Sequence, residues 1–234
     1  RAIAYANGEA WYRVGRATAS RRSLNPVRRL RSTRPERAPL AEGVVVQDGE
    51  AVLAVDARPD RDPVLLLRAA AAAAQAGLRL SPYAVARLAS ESAPLPEPWP
   101  IAARDSLISL LGAGRAAIPV WEALDQADLI SRLIPEWKVV RSAPQRNPVH
   151  RFTVDRHLVE TAVNASSLTR EVSRPDLLLV GALLHDIGKP ATRRFEPGGG
   201  VSFHHHEVVG AKLTAKRLRA LRFDVLAAGE PDEN

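Results

Sequence analysis

A helix-length apolar run, PDLLLVGALL at positions 175–184, ends on His185-Asp186. A segment that is apolar on almost every side belongs at the centre of a fold. Ser173 can cap it, Pro175 suits its first position, and Gly188 and Pro190 break it beyond its end. A histidine and an aspartate carried into such a setting are costly to bury unpaired. A metal ion is the candidate that would satisfy both.

A second helix is predicted from about Val154 to Leu168, where Val154, His157, Leu158, Thr161, Ala162, Ala165 and Leu168 follow a 3.6-residue period. His157 thereby points inward. The separation of 28 residues, 157 to 185, allows an up-turn-back hairpin that brings His157 beside His185-Asp186. Adjacent residues on a regular helix diverge by about 100°. His185 and Asp186 converge on one ion only at a loosened helix end, or else Asp186 orients a ligand from behind. Cysteine is absent, so any metal here takes imidazole and carboxylate ligands, a set suited to Mn, Mg, Fe or Zn.

Further along, His204-His205-His206 precede Glu207 and a helix whose Val208, Ala211, Ala215 and Leu218 are expected to face inward. Lys212, Lys216, Arg219 and Arg222 are expected to face outward. His206 stands at the mouth of that helix, where backbone N–H groups also favour anions. Lys189 and the Arg193-Arg194 pair lie one loop away and suit phosphate. All six histidines fall between positions 150 and 206, which places a domain boundary near 145.

The rest of the chain carries less chemistry. Hydrophobic residues are 46% of the 234, but aromatics only 5%, so the core is built of Ala, Leu and Val. The absence of methionine, even at position 1, suggests a piece of a longer protein. No signal peptide and no membrane-length apolar stretch is evident, and a cytoplasmic location is expected. The formal charge is +7, and nine arginines lie between Arg13 and Arg37 with Glu36 their only acid. The plain reading is a solvated arm over residues 1–40, with little periodicity. The sharper one is a phosphate-rich partner with salt-dependent binding. Residues 43–55, GVVVQDGEAVLAV, read as a β-hairpin turning at Asp48-Gly49. Helices follow: one capped by Asp62 and stopped at Gly77, one capped by Ser81, one stopped by Gly112, and one opening at Pro119 and running to Leu133. A loop is expected from Pro135 to Pro148.

His157 with His185-Asp186, in the specific form LLHDIGK over 183–189, resembles the motif of the HD superfamily of metal-dependent phosphohydrolases. The resemblance extends upstream. LAEGVVVQDGEAVLAVDARPDRDPVLLLRAA, PVWEALDQADLISRLIPEW and RNPVHRFTVDRHLVET look like the region leading into the HD domain of the bifunctional PII uridylyltransferase/uridylyl-removing enzymes. After 189 the sequence departs from that family and is similar instead to the HD domain of CCA-adding tRNA nucleotidyltransferases. The Gly-Ser pair and spaced aspartates that nucleotidyl transfer requires are not in this sequence. The superfamily's last metal-binding Asp lies well downstream, whereas Asp224 comes too early and Asp232 sits in a polar tail.

The resemblance implies a mainly α fold: an HD-type helical bundle preceded by a helical linker region with a small β-hairpin. The expected division is an Arg-rich segment over 1–42, a hairpin-plus-helix region over 43–145 linking to a nucleotidyltransferase domain outside this sequence, a truncated HD domain over 146–224 and a tail over 225–234. It implies a divalent-metal phosphodiester hydrolase, possessing its full activity or lacking it in this piece. Its substrate would be uridylylated PII, with glutamine as effector. The alternatives are a tRNA-associated HD domain and an inactive structural bundle. Expected metal ligands are His157, His185, Asp186 and His206; Asp186 and Lys189 are the expected catalytic residues; Lys189, Arg193 and Arg194 are expected at phosphate.

Overall fold

A computed structural model of the chain describes residues 2–22, 37–144, 152–195 and 201–223. The first part of the poorly periodic segment is helical. Helix α1 spans Ala2–Arg22. Its Ala- and Arg-rich composition favours helix without any amphipathic period to announce it. Tyr12 on α1 donates to the carbonyl of Gly49 (3.4 Å), and the Arg79 guanidinium lies 4.2 Å above its ring. The arginines between 28 and 34 lie outside the described residues.

Four short strands follow in spatial order: β1 (Ala38–Ala41), β2 (Val44–Gln47), β3 (Glu50–Leu53) and β4 (Arg79–Leu80). The β2–β3 hairpin pairs Val44 with Leu53 and Gln47 with Glu50. Its turn needs two positive φ values, and Asp48 (53°) and Gly49 (75°) supply them. The edge strands β1 and β4 were not foreseen. They are too short to show an alternation.

Helix α2 (Leu65–Gln75) lies behind the sheet, buried on nearly all sides. Its small alanines let α4 approach closely. It starts two residues later than its cap pattern suggests, because Asp62 accepts from the N–H of Val64 (3.1 Å) and pairs with Arg68 (2.6 Å). At its end Gly77 (φ 66°) closes a Schellman turn, with the Leu78 N–H on the Ala73 carbonyl at 2.8 Å. Helix α3 (Pro82–Glu91) begins at the foreseen cap, where Ser81 Oγ accepts from the N–H of Ala84 (3.1 Å). Helix α4 (Ile101–Gly112) stops at its glycine.

The single helix expected from Pro119 to Leu133 is two: α5 (Ala117–Gln126) and α6 (Leu129–Leu133). Asp128 adopts φ 61° and breaks the path between them. Part of the expected loop after Pro135 is the single turn α7 (Trp137–Val140). Its buried Trp137 donates to Asp125 (2.9 Å) and meets Trp121 edge-on at 5.2 Å.

The C-terminal part comprises α8 (Val154–Ala165), α9 (Pro175–Leu184), α10 (Lys189–Thr192), the two-residue strands β5 (Arg194–Phe195) and β6 (Val201–Ser202), and α11 (His206–Ala220). Helix α9 packs along α8 as the apolar run foretells, burying Leu179, Val180, Leu183 and Leu184. Its N-cap is Arg174, and Ser173 makes no cap there. The phase of α11 differs from expectation. Val208 and Ala211 are exposed, while Gly210, Arg217 and Leu218 are buried. One hydrophobic core runs from Val44 on the sheet to Phe223 beyond α11. The fold is therefore mainly helical, with the sheet as a small lid at one end. No single helix among the described residues is long and apolar enough to cross a membrane.

Candidate metal centre

Three elements bring the chemistry together. Helix α8 enters against the core through Val154, Leu158 and Ala162, which leaves His157 at the edge of its buried face with 32% of its side chain exposed. Buried Asp155 fixes that entry by accepting from the N–H of Ser142 (2.8 Å). Helix α9 gives way to a tight turn after Leu184. The N–H of Ile187 meets the Leu184 carbonyl (3.0 Å), and the N–H of Lys189 meets that of Asp186 (3.0 Å). This turn is what lets two adjacent residues face one point.

Gly188 then seats α11. A side-chain carbon at 188 would stand 2.6 Å from the Gly210 nitrogen and 2.7 Å from the His206 carbonyl oxygen. Its φ is −81°, so glycine is required here by the close approach of two backbones and not by a left-handed turn. That approach delivers His206 to the same place.

The focus is the carboxylate of Asp186, a residue 5% exposed overall. Its Oδ2 lies 3.3 Å from Nε2 of His185, 3.6 Å from Nε2 of His157 and 2.6 Å from Nζ of Lys189. Its Oδ1 lies 3.9 Å from Nε2 of His206. The two imidazoles of His157 and His185 stand edge to face at 5.2 Å. Burial by itself pushes the Asp186 carboxyl up, but hydrogen bonds and charge from His185 and Lys189 outweigh it and hold the group far below the usual carboxylate range. The Asp186 hydrogen bond in turn raises His185 above its ordinary value, against burial and with help from the Ala182 carbonyl.

Hydrogen bonding also sets the imidazole tautomers. Nδ1 of His185 faces the Ala182 carbonyl oxygen at 2.9 Å, and Nδ1 of His206 faces that of Phe203 at 2.7 Å. A carbonyl only accepts, so both Nδ1 atoms carry protons. Each ring then turns Nε2 toward Asp186. A neutral Nε2 lone pair opposite a carboxylate oxygen is repulsive. A proton or a metal ion must lie between them.

The donor set fits a cation. One ligand atom each from His157, His185 and Asp186 lie within 4.8 Å of one another. Two donors on a common ion at about 2.1 Å stand at most about 4.2 Å apart, so only small side-chain shifts are needed. The outward-held Nδ1–H groups are the second contacts that fix ligating histidines elsewhere. His206 stands on the far oxygen, outside this close triad. Arg193 and Arg194 are exposed beyond α10. A groove of about 510 Å³ opens beside His185 and follows α11 past Gly210, Thr214 and Leu218, with Lys212 on its wall.

Sequence reasoning missed the residues that hold α11 in place. Buried Arg217 makes two hydrogen bonds of 2.9 Å to Glu136 and one of 3.2 Å to Glu97. The Gly188–Gly210 contact was also missed. The available signal was the spacing of Gly210 and Arg217, seven residues apart and so on one helical face.

Residues 154–230 match the family model described as the HD domain. A bifunctional uridylyltransferase/uridylyl-removing enzyme of Streptomyces coelicolor is 59% identical over 195 residues, covering 81% of this chain and 23% of that protein. One of the same description from Mycobacterium tuberculosis is 46% identical over 213 residues, covering 91% of this chain and 24% of its own length. An A-adding tRNA nucleotidyltransferase of Deinococcus radiodurans is 36% identical over 169 residues, covering 69% of this chain and 38% of its own. The chain thus spans about a quarter of the length of the uridylyltransferase relatives. No solved structure matches.

Proposed function

The chain carries an HD domain within a segment that it shares with bifunctional uridylyltransferase/uridylyl-removing enzymes, and from that premise we propose that it hydrolyses a phosphodiester at the Asp186 cluster. The observation that carries this reading is the buried, ionised Asp186 carboxylate with two Nε2 atoms turned on one of its oxygens at 3.3 and 3.6 Å. His157, His185 and Asp186 would hold a divalent cation, with Mn or Mg favoured over Fe or Zn. When bound, such an ion polarises a phosphoryl oxygen and lowers the pKa of water to near neutrality. His206, on the opposite carboxylate oxygen, binds either the metal or the phosphate.

Lys189 has a specific part. Its ammonium occupies Oδ2, the oxygen that both imidazoles also face. Ammonium and a bound metal would compete for that oxygen, and a Lys189 ammonium released from it would neutralise phosphate charge. Arg193 and Arg194, exposed beyond α10, would draw the phosphate in by long-range attraction.

The substrate that fits the premise is uridylylated PII. Water attacks phosphorus, the bond to the tyrosine oxygen breaks, and UMP and the tyrosine hydroxyl result. Glutamine is the corresponding effector. The segment from 43 to 145 would join the HD domain to a nucleotidyltransferase domain, and 146–224 would form the HD domain itself. The test is UMP release from uridylylated PII with Mn²⁺ added and with EDTA. Release that requires metal and vanishes in His185→Ala supports the assignment; equal release by that variant overturns it.

The likeness to the A-adding enzyme favours a second reading, binding of tRNA by the basic segment. It predicts tRNA affinity that falls steeply with salt and weakens when arginines of 13–37 are neutralised.

A further inference from the structure

Three buried side-chain polar atoms among the described residues lack any hydrogen-bond partner: Ser92 Oγ, Ser131 Oγ and Trp121 Nε1. Two of them belong to residues that line one cavity. It lies between α2, the segment after α3, and α6–α7, has none of His157, His185, Asp186 and His206 in its lining, and measures about 490 Å³. That is within the range of small-molecule sites, about 300–1,000 Å³.

Several helical hydroxyls among the described residues bond back to the preceding turn: Ser90 to Ala86 (3.0 Å), Ser106 to Ala102 (2.7 Å), Thr161 to His157 (2.9 Å). Ser131, 2% exposed and in the middle of α6, makes no such bond. An unmet buried hydroxyl costs free energy, and a bound polar group would offset that cost. Each hydroxyl turns about one torsion with no existing bond to lose.

Leu66, Leu95, Trp99, Leu129 and Leu133 make the wall apolar. The charges on the lining are unbalanced. Arg132 and Lys138 have no carboxylate partner among the described residues, and Arg132 donates instead to the Ala89 carbonyl (2.6 Å). The one acid, Glu97, accepts from Arg217 (3.2 Å) and so does not oppose an anion.

We propose that this cavity binds a compact organic anion, with an apolar body against the leucines and Trp99, a carboxylate at Lys138 and Arg132, and a polar atom within reach of Ser131. Apolar area holds the ligand and the two cations select its charge. The experiment uses 4-phenylbutyrate and its uncharged analogue 4-phenylbutanamide, titrated into the ¹⁵N-labelled 234-residue chain. The expected result is saturable amide shifts confined to residues 92–95 and 129–138, with the carboxylate binding about five-fold tighter than the amide, as expected for one partly exposed ion pair. Lys138→Ala should remove most of that preference while leaving the other amides in place. Shifts absent from those segments, equal binding of the two compounds, or an undiminished preference in Lys138→Ala would each overturn the proposal.

Discussion

Removing the Lys189 ammonium should tighten metal binding. Nζ of Lys189 stands 2.6 Å from Asp186 Oδ2, with side chains only 13% and 7% exposed. A hydrogen bond to a charged partner in such a setting contributes about 1.5–3 kcal/mol net. A metal that takes Oδ2 must first displace that bond. In Lys189→Ala no bond is displaced, so Mn²⁺ should bind about ten- to hundred-fold tighter, at about 1.4 kcal/mol per factor of ten. Lys189→Arg retains the charge and should stay near the parent value. Isothermal titration of EDTA-stripped protein with Mn²⁺ reads the affinity directly. The same Ala variant should release UMP more slowly, because the phosphate loses its counter-charge. Weaker or unchanged Mn²⁺ binding in Lys189→Ala would refute the idea that ammonium and metal contest one oxygen.

Gly188→Ala puts a carbon 2.6 Å from the Gly210 backbone nitrogen. The resulting overpacking should cost about 1–3 kcal/mol, read as a lower denaturation midpoint, and should shift α11 and His206 away from Asp186. Arg217→Ala leaves Glu136, with 13% of its side chain exposed, without its bidentate partner; urea unfolding should show a loss of about 3 kcal/mol, much of it recovered by a second change, Glu136→Gln. Acidity gives a prediction of opposite sign with and without metal. In EDTA the His185–Asp186 pair is strongest while His185 is charged, so its contribution to Tm should fall as pH rises through the raised His185 value, above 6.5. Mn²⁺ requires the neutral ring, so the Tm gain on adding Mn²⁺ should grow over that same interval.

Local chemistry made much of the fold legible. Ser81-Pro82, Asp48-Gly49 and Gly112 mark their boundaries because a cap or a turn is decided within a few residues. The apolar run 175–184 and the period through His157 likewise foretell the α8–α9 pair and the approach of His157 to His185-Asp186. What stayed hidden depends on distant partners. The phase of α11 is set by Gly210 lying on Gly188 and by Arg217 reaching Glu97 and Glu136, 120 and 81 residues away. The break at Asp128 is a left-handed residue inside a continuous apolar pattern, which periodicity alone does not reveal. Helix α1 rests on backbone propensity with no apolar stripe, so a search for periodicity passes over it. The place of Lys189 on Oδ2 could not be read either, since spacing suggested only its nearness to phosphate.

Pulsed electron paramagnetic resonance of the chain loaded with one equivalent of Mn²⁺ tests whether His157, His185 and Asp186 hold the ion. Imidazole nitrogen coupled to the ion should be present, should diminish in His157→Ala and in His185→Ala, and tight binding should be lost in Asp186→Ala. An ion with no nitrogen coupling, or an Asp186→Ala protein that binds it as well as the parent, would contradict the account.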